Sequence, residues 1–473
     1  MFINGEWIKS DNTFAVFNPA NGEEIGQVTD GNREDARRAI DAAQAALPGW
    51  SALTVYQRSD YLRRAYELMI ERKADLAALM TKEQGKPIKA AMAEVQYGAD
   101  YLLWFAEEVK RSYGETIPSA RPDQRFLVHH QPLGVVAAVT PWNYPVSMIT
   151  RKVAPAIAAG CTIVLKPAEA TPLCAIAIFE ILQEVGVPAG VINLVTSNTP
   201  GPIGEEFCIN PVVKKLTFTG STAVGKKLAQ DAAPQLKRVS MELGGHAPFI
   251  VFDDADPIHA AKGAALVKFL NTGQACISPN RIFVQRSIIE PFLAEFENRI
   301  AKMRAGSGTE QGVNIGPLVN EAAVNKVNNQ VVDAVEKGAK LHAGGKVLTE
   351  AGLDKGNFYA PTLLSGITED MLIYREETFG PVAAVIPFDT QEEVLEKAND
   401  TNYGLAAYVY TQNLSRAMRM FEGLHFGMVG INDINPTSAA APFGGMKESG
   451  LGREGAREGL MEYYETKLAG ISI

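Results

Sequence analysis

The feature that most constrains this chain is a rhythm that begins at Gly134. An apolar run, Val135-Val-Ala-Ala-Val139, precedes a proline-bounded turn and a helical pattern over about 146–159. Thr162-Ile-Val-Leu-Lys-Pro167 follows, then a turn and a helical pattern from Pro172 to about Val185. Val191-Ile-Asn-Leu-Val-Thr196, Lys214-Lys-Leu-Thr-Phe-Thr-Gly220 and Arg238-Val-Ser-Met-Glu-Leu-Gly-Gly245 continue the series, with one further helix between the last two. Strands apolar on both faces belong to buried parallel sheets. Strand–helix units of this length wind a sheet with helices on both sides, and ligands bind on the loops that leave its strands. The predicted class is α/β, with a doubly wound, Rossmann-like cofactor domain.

A second α/β unit begins after about 243 and runs to about 440, with Cys276 in the turn Phe269-Leu-Asn-Thr-Gly-Gln-Ala-Cys-Ile-Ser-Pro-Asn280. Ahead of Gly134, residues 1–30 read as short strands, and helical periodicity covers 32–46, 55–83 and 87–112. Residues 114–133 break the rhythm with two strand patterns around a polar, Pro-containing turn, the outline of a hairpin arm. His129 and His130 are adjacent there, so in a strand they face opposite sides and do not form a shared metal site. The tail from Met461 alternates like a strand with no partner nearby in sequence, which implies a sheet shared between domains or subunits.

Composition narrows the function. The net charge of −9 and the absence of a basic stripe argue against nucleic acid. Cys161, Cys174, Cys208 and Cys276 are widely spaced with no Cys-x-x-Cys, so neither a structural metal nor a disulfide framework is expected. The N-terminus has no signal-peptide pattern and no apolar run is long enough to span a bilayer. A cytoplasmic protein without membrane association is expected.

Several loops carry chemistry. Cys276 stands between Gly273 and Pro279, where backbone room suits a nucleophile whose pKa nearby donors lower; alone it also fits a buried small side chain. Asn143, in Pro141-Trp-Asn-Tyr-Pro145, can donate to an oxyanion or simply hold a turn. Lys166 and Glu169 can clamp a ribose or form a surface ion pair. Phe218-Thr-Gly-Ser-Thr-Ala-Val-Gly225 puts Ser221 and backbone N–H groups at a helix start, where phosphate is favoured. Glu242, a carboxylate ending an apolar strand, acquires a raised pKa on burial, as a general base needs.

Taken together these stretches resemble the aldehyde dehydrogenase superfamily over the whole chain. The matching motifs are PWNYP, LKPAEATP, FTGSTAVG, MELGGHAP, NTGQACISPNR, EETFGPV and PFGGMKESGLGREG. The resemblance implies an NAD(P)-dependent enzyme in which Cys276 is the nucleophile, Asn143 and the Cys276 N–H form the oxyanion hole, and Glu242 is the base. It implies cofactor contacts from Trp142, Lys166, Glu169, Gly220, Ser221, Gly225, Glu377 and Phe379. It implies a cofactor domain over 1–113 and 134–242, a catalytic domain over 243–440, and an oligomerisation arm of 114–133 with the tail 441–473. A homodimer or homotetramer is expected.

The segment from Trp142 to Pro172 and the SGLGREG stretch are similar to succinate-semialdehyde dehydrogenases. Tyr144, Met148 and Arg151 fall on one helix face along the substrate tunnel, and Arg151 suits a distal carboxylate. Where those enzymes usually carry a second arginine this chain has Leu270, and Thr437 and Ser438 offer hydroxyls instead. The alternative is a broad enzyme for short uncharged or hydroxylated aldehydes. Ser278 stands where some relatives carry a second, redox-active cysteine. Glu169 favours NAD over NADP, since a carboxylate accepts from a 2′-hydroxyl and repels a 2′-phosphate.

Overall fold

The computed structural model describes residues 1–350 and 352–473. Two parallel sheets dominate it. In the first, the strands Val135–Val139, Thr162–Lys166, Ile192–Leu194, Val213–Thr219 and Arg238–Glu242 are all parallel. Taken in chain order as one to five, they lie side by side as 3-2-1-4-5. The order reverses between Val135–Val139 and Val213–Thr219, and the crevice above such a switch point is where doubly wound sheets bind ligands. The N-terminal hairpin of Phe2–Ile3 and Glu6–Trp7 extends one edge, and Gly450–Leu451 caps the other antiparallel to Arg238–Glu242.

The second sheet contains the parallel strands Ala247–Val251, Pro279–Gln285, Thr362–Ser365, Val382–Phe388, Ala406–Tyr410 and Met428–Ile431, with Lys340–Ala343 antiparallel at one edge. Its central strands are buried along their length, as expected when helices cover both faces.

Several elements differ from the sequence expectation. The pattern over 55–83 is two helices, Val55–Glu71 and Lys73–Gln84, because the chain leaves helical geometry at Arg72. Helices Pro200–Ile209 and Glu321–Glu336 were not anticipated; the first opens on Pro and Gly residues that read as a loop. The tail begins as a helix, Ala456–Met461, and becomes a strand only at Tyr464. That strand does have a partner in its own chain. It pairs along its whole length with Gln124–Pro132, from Tyr464↔Pro132 to Ser472↔Gln124, and Glu115–Ile117 completes a three-stranded sheet. The contact is remote in sequence, so local pattern does not reveal it.

Candidate active site

The two sheets present opposite ends to one another. From the first come loops that leave strands: Asn143 after Val135–Val139, Lys166 and Glu169 at the end of Thr162–Lys166, Ser221 after Val213–Thr219, and Glu242 ending its strand. From the second come loops that enter strands: Cys276 just before Pro279–Gln285 and Glu377 just before Val382–Phe388.

The Cys276 loop is held in an unusual conformation. Asn271 and Thr272 have φ of 49° and 59°, a left-handed region that non-glycine residues rarely occupy. Such backbone persists only where neighbours over-determine it. Thr272 Oγ1 accepts from Gly316 N at 2.9 Å, and Gln274 Oε1 accepts from Val319 N at 3.0 Å. Asn143 Nδ2 donates to Gln274 O at 3.0 Å, tying the first sheet's loop to the second's. Glycines let the backbones meet. A Cβ on Gly245 would lie 2.2 Å from Cys276 O, and one on Gly273 would lie 2.1 Å from Gly380 O.

Cys276 sits between two cavities. One, of about 270 Å³, is lined by Trp142, Asn143, Gly220, Ser221, Glu242, Glu377 and Phe379, among others. The other, of about 230 Å³, is lined by Tyr144, Met148, Arg151 and Leu270 and is closed by Asn435, Thr437 and Phe443. Among the described residues, only Cys276 and Met148 border both.

The first cavity offers groups that suit a phosphate-bearing cofactor. It opens at the N-terminus of the helix Thr222–Ala232, where Ser221 is the cap residue and free backbone N–H groups favour phosphate. Trp142 and Phe379 meet edge to face at 5.6 Å on its wall, and Phe379 is left-handed at φ 55°. Glu377 Oε1 accepts from Gly245 N at 2.9 Å, and burial pushes its carboxyl up to about 7. Lys166 Nζ lies 3.1 Å from Glu169 Oε2, the lysine buried and the glutamate half exposed. Lys166 borders a third space of about 850 Å³ with Pro200, Gly204 and Phe218, which extends the cleft away from Cys276. Gly225 does not line the cleft. It packs against Leu243, whose side chain a Cβ would strike at 2.3 Å, so its service is to close helix–strand packing. Lys326, on the unanticipated helix, does line it, and nothing in the local pattern marks it.

Glu242 is buried with Oε2 unpartnered. Its pKa is raised, first by desolvation and then by the neighbouring Glu454 carboxylate, against the pull of Arg151 and Lys152. Cys276 departs from expectation: burial pushes its thiol up to about 12, with Arg151 the main opposing influence. The loop supplies room without lowering the pKa, because desolvation outweighs the nearest cation.

On the far side, Arg151 is buried with Nε 2.6 Å from Glu454 Oε2. Both atoms are fully buried, so this edge of the guanidinium is committed to the ion pair and closed to the pocket. Nη2 approaches Met148 Sδ at 2.9 Å, and the guanidinium stacks 4.1 Å over Phe443. Leu270 is 40% exposed on the same wall. Ser438 does not line the cavity; its hydroxyl turns back to accept from Ala440 N at 3.2 Å, and Thr437 takes the lining position. Lys86, Glu94 and Tyr97 line it too, from a turn and a helix whose patterns carry no functional signal.

Cys276 thus stands where two cavities meet, with Asn143 and the buried Glu242 on the wall of the first. The aldehyde dehydrogenase family model matches residues 7–469, and the chain belongs to that family. The chain is 49% identical to the glutarate-semialdehyde dehydrogenase of Pseudomonas putida, covering 100% of this chain and 97% of that protein. It is also 49% identical to the succinate-semialdehyde dehydrogenase [NADP(+)] of Escherichia coli, with the same coverage. A crystal structure of an E. coli NADP-dependent enzyme superposes with a TM-score of 0.98 at 48% identity, covering 100% of this chain and 98% of that one. The protein is an NAD(P)-dependent aldehyde dehydrogenase.

Proposed function

We propose that this enzyme oxidises a semialdehyde, an aldehyde with a carboxylate at its far end, such as succinate semialdehyde. The observation that carries the reading is Arg151: a guanidinium on the wall of the pocket that Cys276 borders, held from behind by its Nε ion pair with Glu454. A substrate carboxylate can pair with its terminal nitrogens. The names of the two relatives support the same class.

In this reading Cys276 attacks the aldehyde carbon. A thiol pushed up to about 12 must surrender its proton to a base as the C–S bond forms, and the buried Glu242 carboxylate borders the same cavity. The aldehyde oxygen takes the negative charge, and Asn143 Nδ2 with the Cys276 N–H donates to it. A bound nicotinamide supplies the hydride acceptor that leaves the adduct a thioester. Glu242, having passed the first proton to solvent, takes a proton from water as the water attacks the thioester carbon; the C–S bond breaks, the acid is released, and the proton on Glu242 returns to the sulfur.

Trp142, Gly220, Ser221, Glu377 and Phe379 are positioned to hold the cofactor, with Lys166 and Glu169 at its adenine ribose. Glu169 favours NAD. The arm sheet, with Leu468 and Ile471 exposed, supports a homodimer or homotetramer. Four free cysteines support a reducing, cytoplasmic setting, and no helix among the described residues is long and apolar enough to cross a membrane.

Leu270 favours a second reading, a broader enzyme for short uncharged aldehydes, because it leaves one wall of the pocket apolar. The two separate on kcat/KM for succinic semialdehyde against butanal. A ratio of about 100 or more, ~2.7 kcal/mol, is expected for carboxylate recognition, and Arg151→Met should bring it toward one. A wild-type ratio near one establishes the broader reading.

A further inference from the structure

Beyond Arg151 the pocket holds a second buried cation. Lys86 and Glu94 form an ion pair with both side chains only 1% exposed. Burying such a pair is costly, so its geometry has to compensate through further hydrogen bonds. Here every polar atom of the pair is engaged.

Lys86 is fixed by its backbone. Gly85 before it is left-handed at φ 86°, Pro87 follows it, and Ile88 N donates to Gly308 O at 2.9 Å. An ammonium has three N–H donors. One reaches Glu94 Oε2 and one reaches Asn143 O at 2.9 Å. The nitrogen also lies 3.8 Å from the centroid of the Tyr144 ring. Glu94, on the helix Ile88–Glu108, accepts with its other oxygen from Val146 N at 3.0 Å and Ser147 N at 3.3 Å. Those groups begin the helix Ser147–Ala159, whose own cap position, Val146, offers no side-chain acceptor. Glu94 thus caps that helix from a neighbouring one.

Both arms converge on Asn143. Its carbonyl accepts from Lys86 on one side and from Asn271 Nδ2 at 2.9 Å on the other, while its amide faces the Cys276 loop. We propose that Lys86 and Glu94 are positioning residues that hold the Asn143 peptide and the start of the following helix, and so aim the Asn143 amide at the reacting oxygen. The proposal rests on Asn143 as the oxyanion donor. Asn271, on the Cys276 loop, completes the clamp, so the donor is referenced to the nucleophile's own loop and to the scaffold at once.

The test is a double-mutant cycle read by single-turnover NADH formation. Lys86→Met with Glu94→Gln removes both charges together, while the carboxamide oxygen introduced by Glu94→Gln still caps the helix. We expect about a 10- to 30-fold slower turnover with KM for NAD unchanged, since a donor displaced without being removed costs less than its deletion. In an Asn143→Ala background the same pair should change the rate less than about 2-fold, because nothing is left to aim. Equal losses in both backgrounds overturn the proposal in favour of general destabilisation. A rate within about 2-fold of wild type, with Asn143→Ala itself still slow, also overturns it. A loss for succinic semialdehyde but not butanal overturns it in favour of direct anion binding by Lys86. If Asn143→Ala costs nothing, the oxyanion assignment falls, which is a separate outcome. Should the double variant not fold, Lys86→Arg decides: a retained donor to Asn143 O should keep the rate within about 3-fold of wild type, and a loss as large as that of Asn143→Ala counts against it.

Discussion

The two sheets line one cavity from opposite ends. The first presents the carboxyl ends of its strands, so Asn143, Ser221 and Glu242 sit where doubly wound sheets ordinarily bind ligands. The second presents the amino ends, so Cys276 and Glu377 precede their strands. The difference sets how each half is held. Loops leaving strands lead into helix N-termini that bind anions without strain, as at Ser221. The loop entering Pro279–Gln285 follows a helix C-terminus, at Lys268, so it has no helix N-terminus to offer; it holds two left-handed residues and passes close against glycines. One half offers charge and donors; the other offers a rigid sulfur.

This contrast breaks most visibly at Glu242. Glu242→Gln leaves the sulfur and its loop intact while removing the base from the opposing sheet. Steady-state turnover should fall by about 100- to 10,000-fold, the range of general-base catalysis. If Glu242 acts mainly on the thioester, a burst of about one NADH per site survives, measurable by stopped flow; a vanished burst makes it equally the base for Cys276. The pH profile follows from the same group. Its raised pKa means the required ionised form is lost as pH falls, beginning well above the ordinary carboxylate range. The acid limb of wild-type kcat should therefore stand above about 4.5, the ordinary value, and be absent from the variant.

A test of the meeting line itself is Gly245→Ala. The added methyl would press on Cys276 O at 2.2 Å, so the loop must move. A shift near 1 Å at a reacting group costs on the order of 100-fold, and kcat should fall by about 10- to 100-fold with cofactor affinity little changed. Gly49→Ala, where a Cβ meets nothing within 4 Å, is the control and should leave kcat alone.

The same contrast explains what was legible in the sequence. The first sheet's strands and loops are local in the chain, with apolar runs ending in Asn, Lys, Ser or Glu, so period and punctuation locate them. Cys276 is marked by its Gly and Pro neighbours, yet no strand-end rule points to it, because it stands at the wrong end of its strand for that rule. Met148 and Arg151 follow helical spacing, whereas Tyr144 lies in the turn before the helix starts at Ser147; all three line the pocket. Ser438 does not, because an irregular loop has no period to say which of two adjacent hydroxyls turns inward. Lys86, Tyr97 and Lys326 arrive from elements remote in sequence, and their local patterns look like ordinary turn and helix surface. The raised pKa of the thiol escapes a motif for a related reason: donors can be read from a motif, but desolvation depends on everything packed around it.

The smallest effect concerns the rim of the first sheet, where charge acts without strain. Glu169 is half exposed beside the buried Lys166, and burial lowers the lysine's pKa while Glu169 raises it. In the proposed function the pair presents a carboxylate to the ribose 2′-hydroxyl, with a cation behind it. Glu169→Ser keeps a hydroxyl for the ribose and frees Lys166 for a phosphate. The ratio of kcat/KM for NAD to that for NADP should then fall by about 10-fold, ~1.4 kcal/mol, chiefly through a lower KM for NADP. Exposure keeps the effect modest, since solvent screens a half-exposed carboxylate far more than it screens Glu242. An unchanged ratio would mean that Lys166, not Glu169, governs the choice, and that the rim discriminates by the number of donors it offers and not by the sign of its charge.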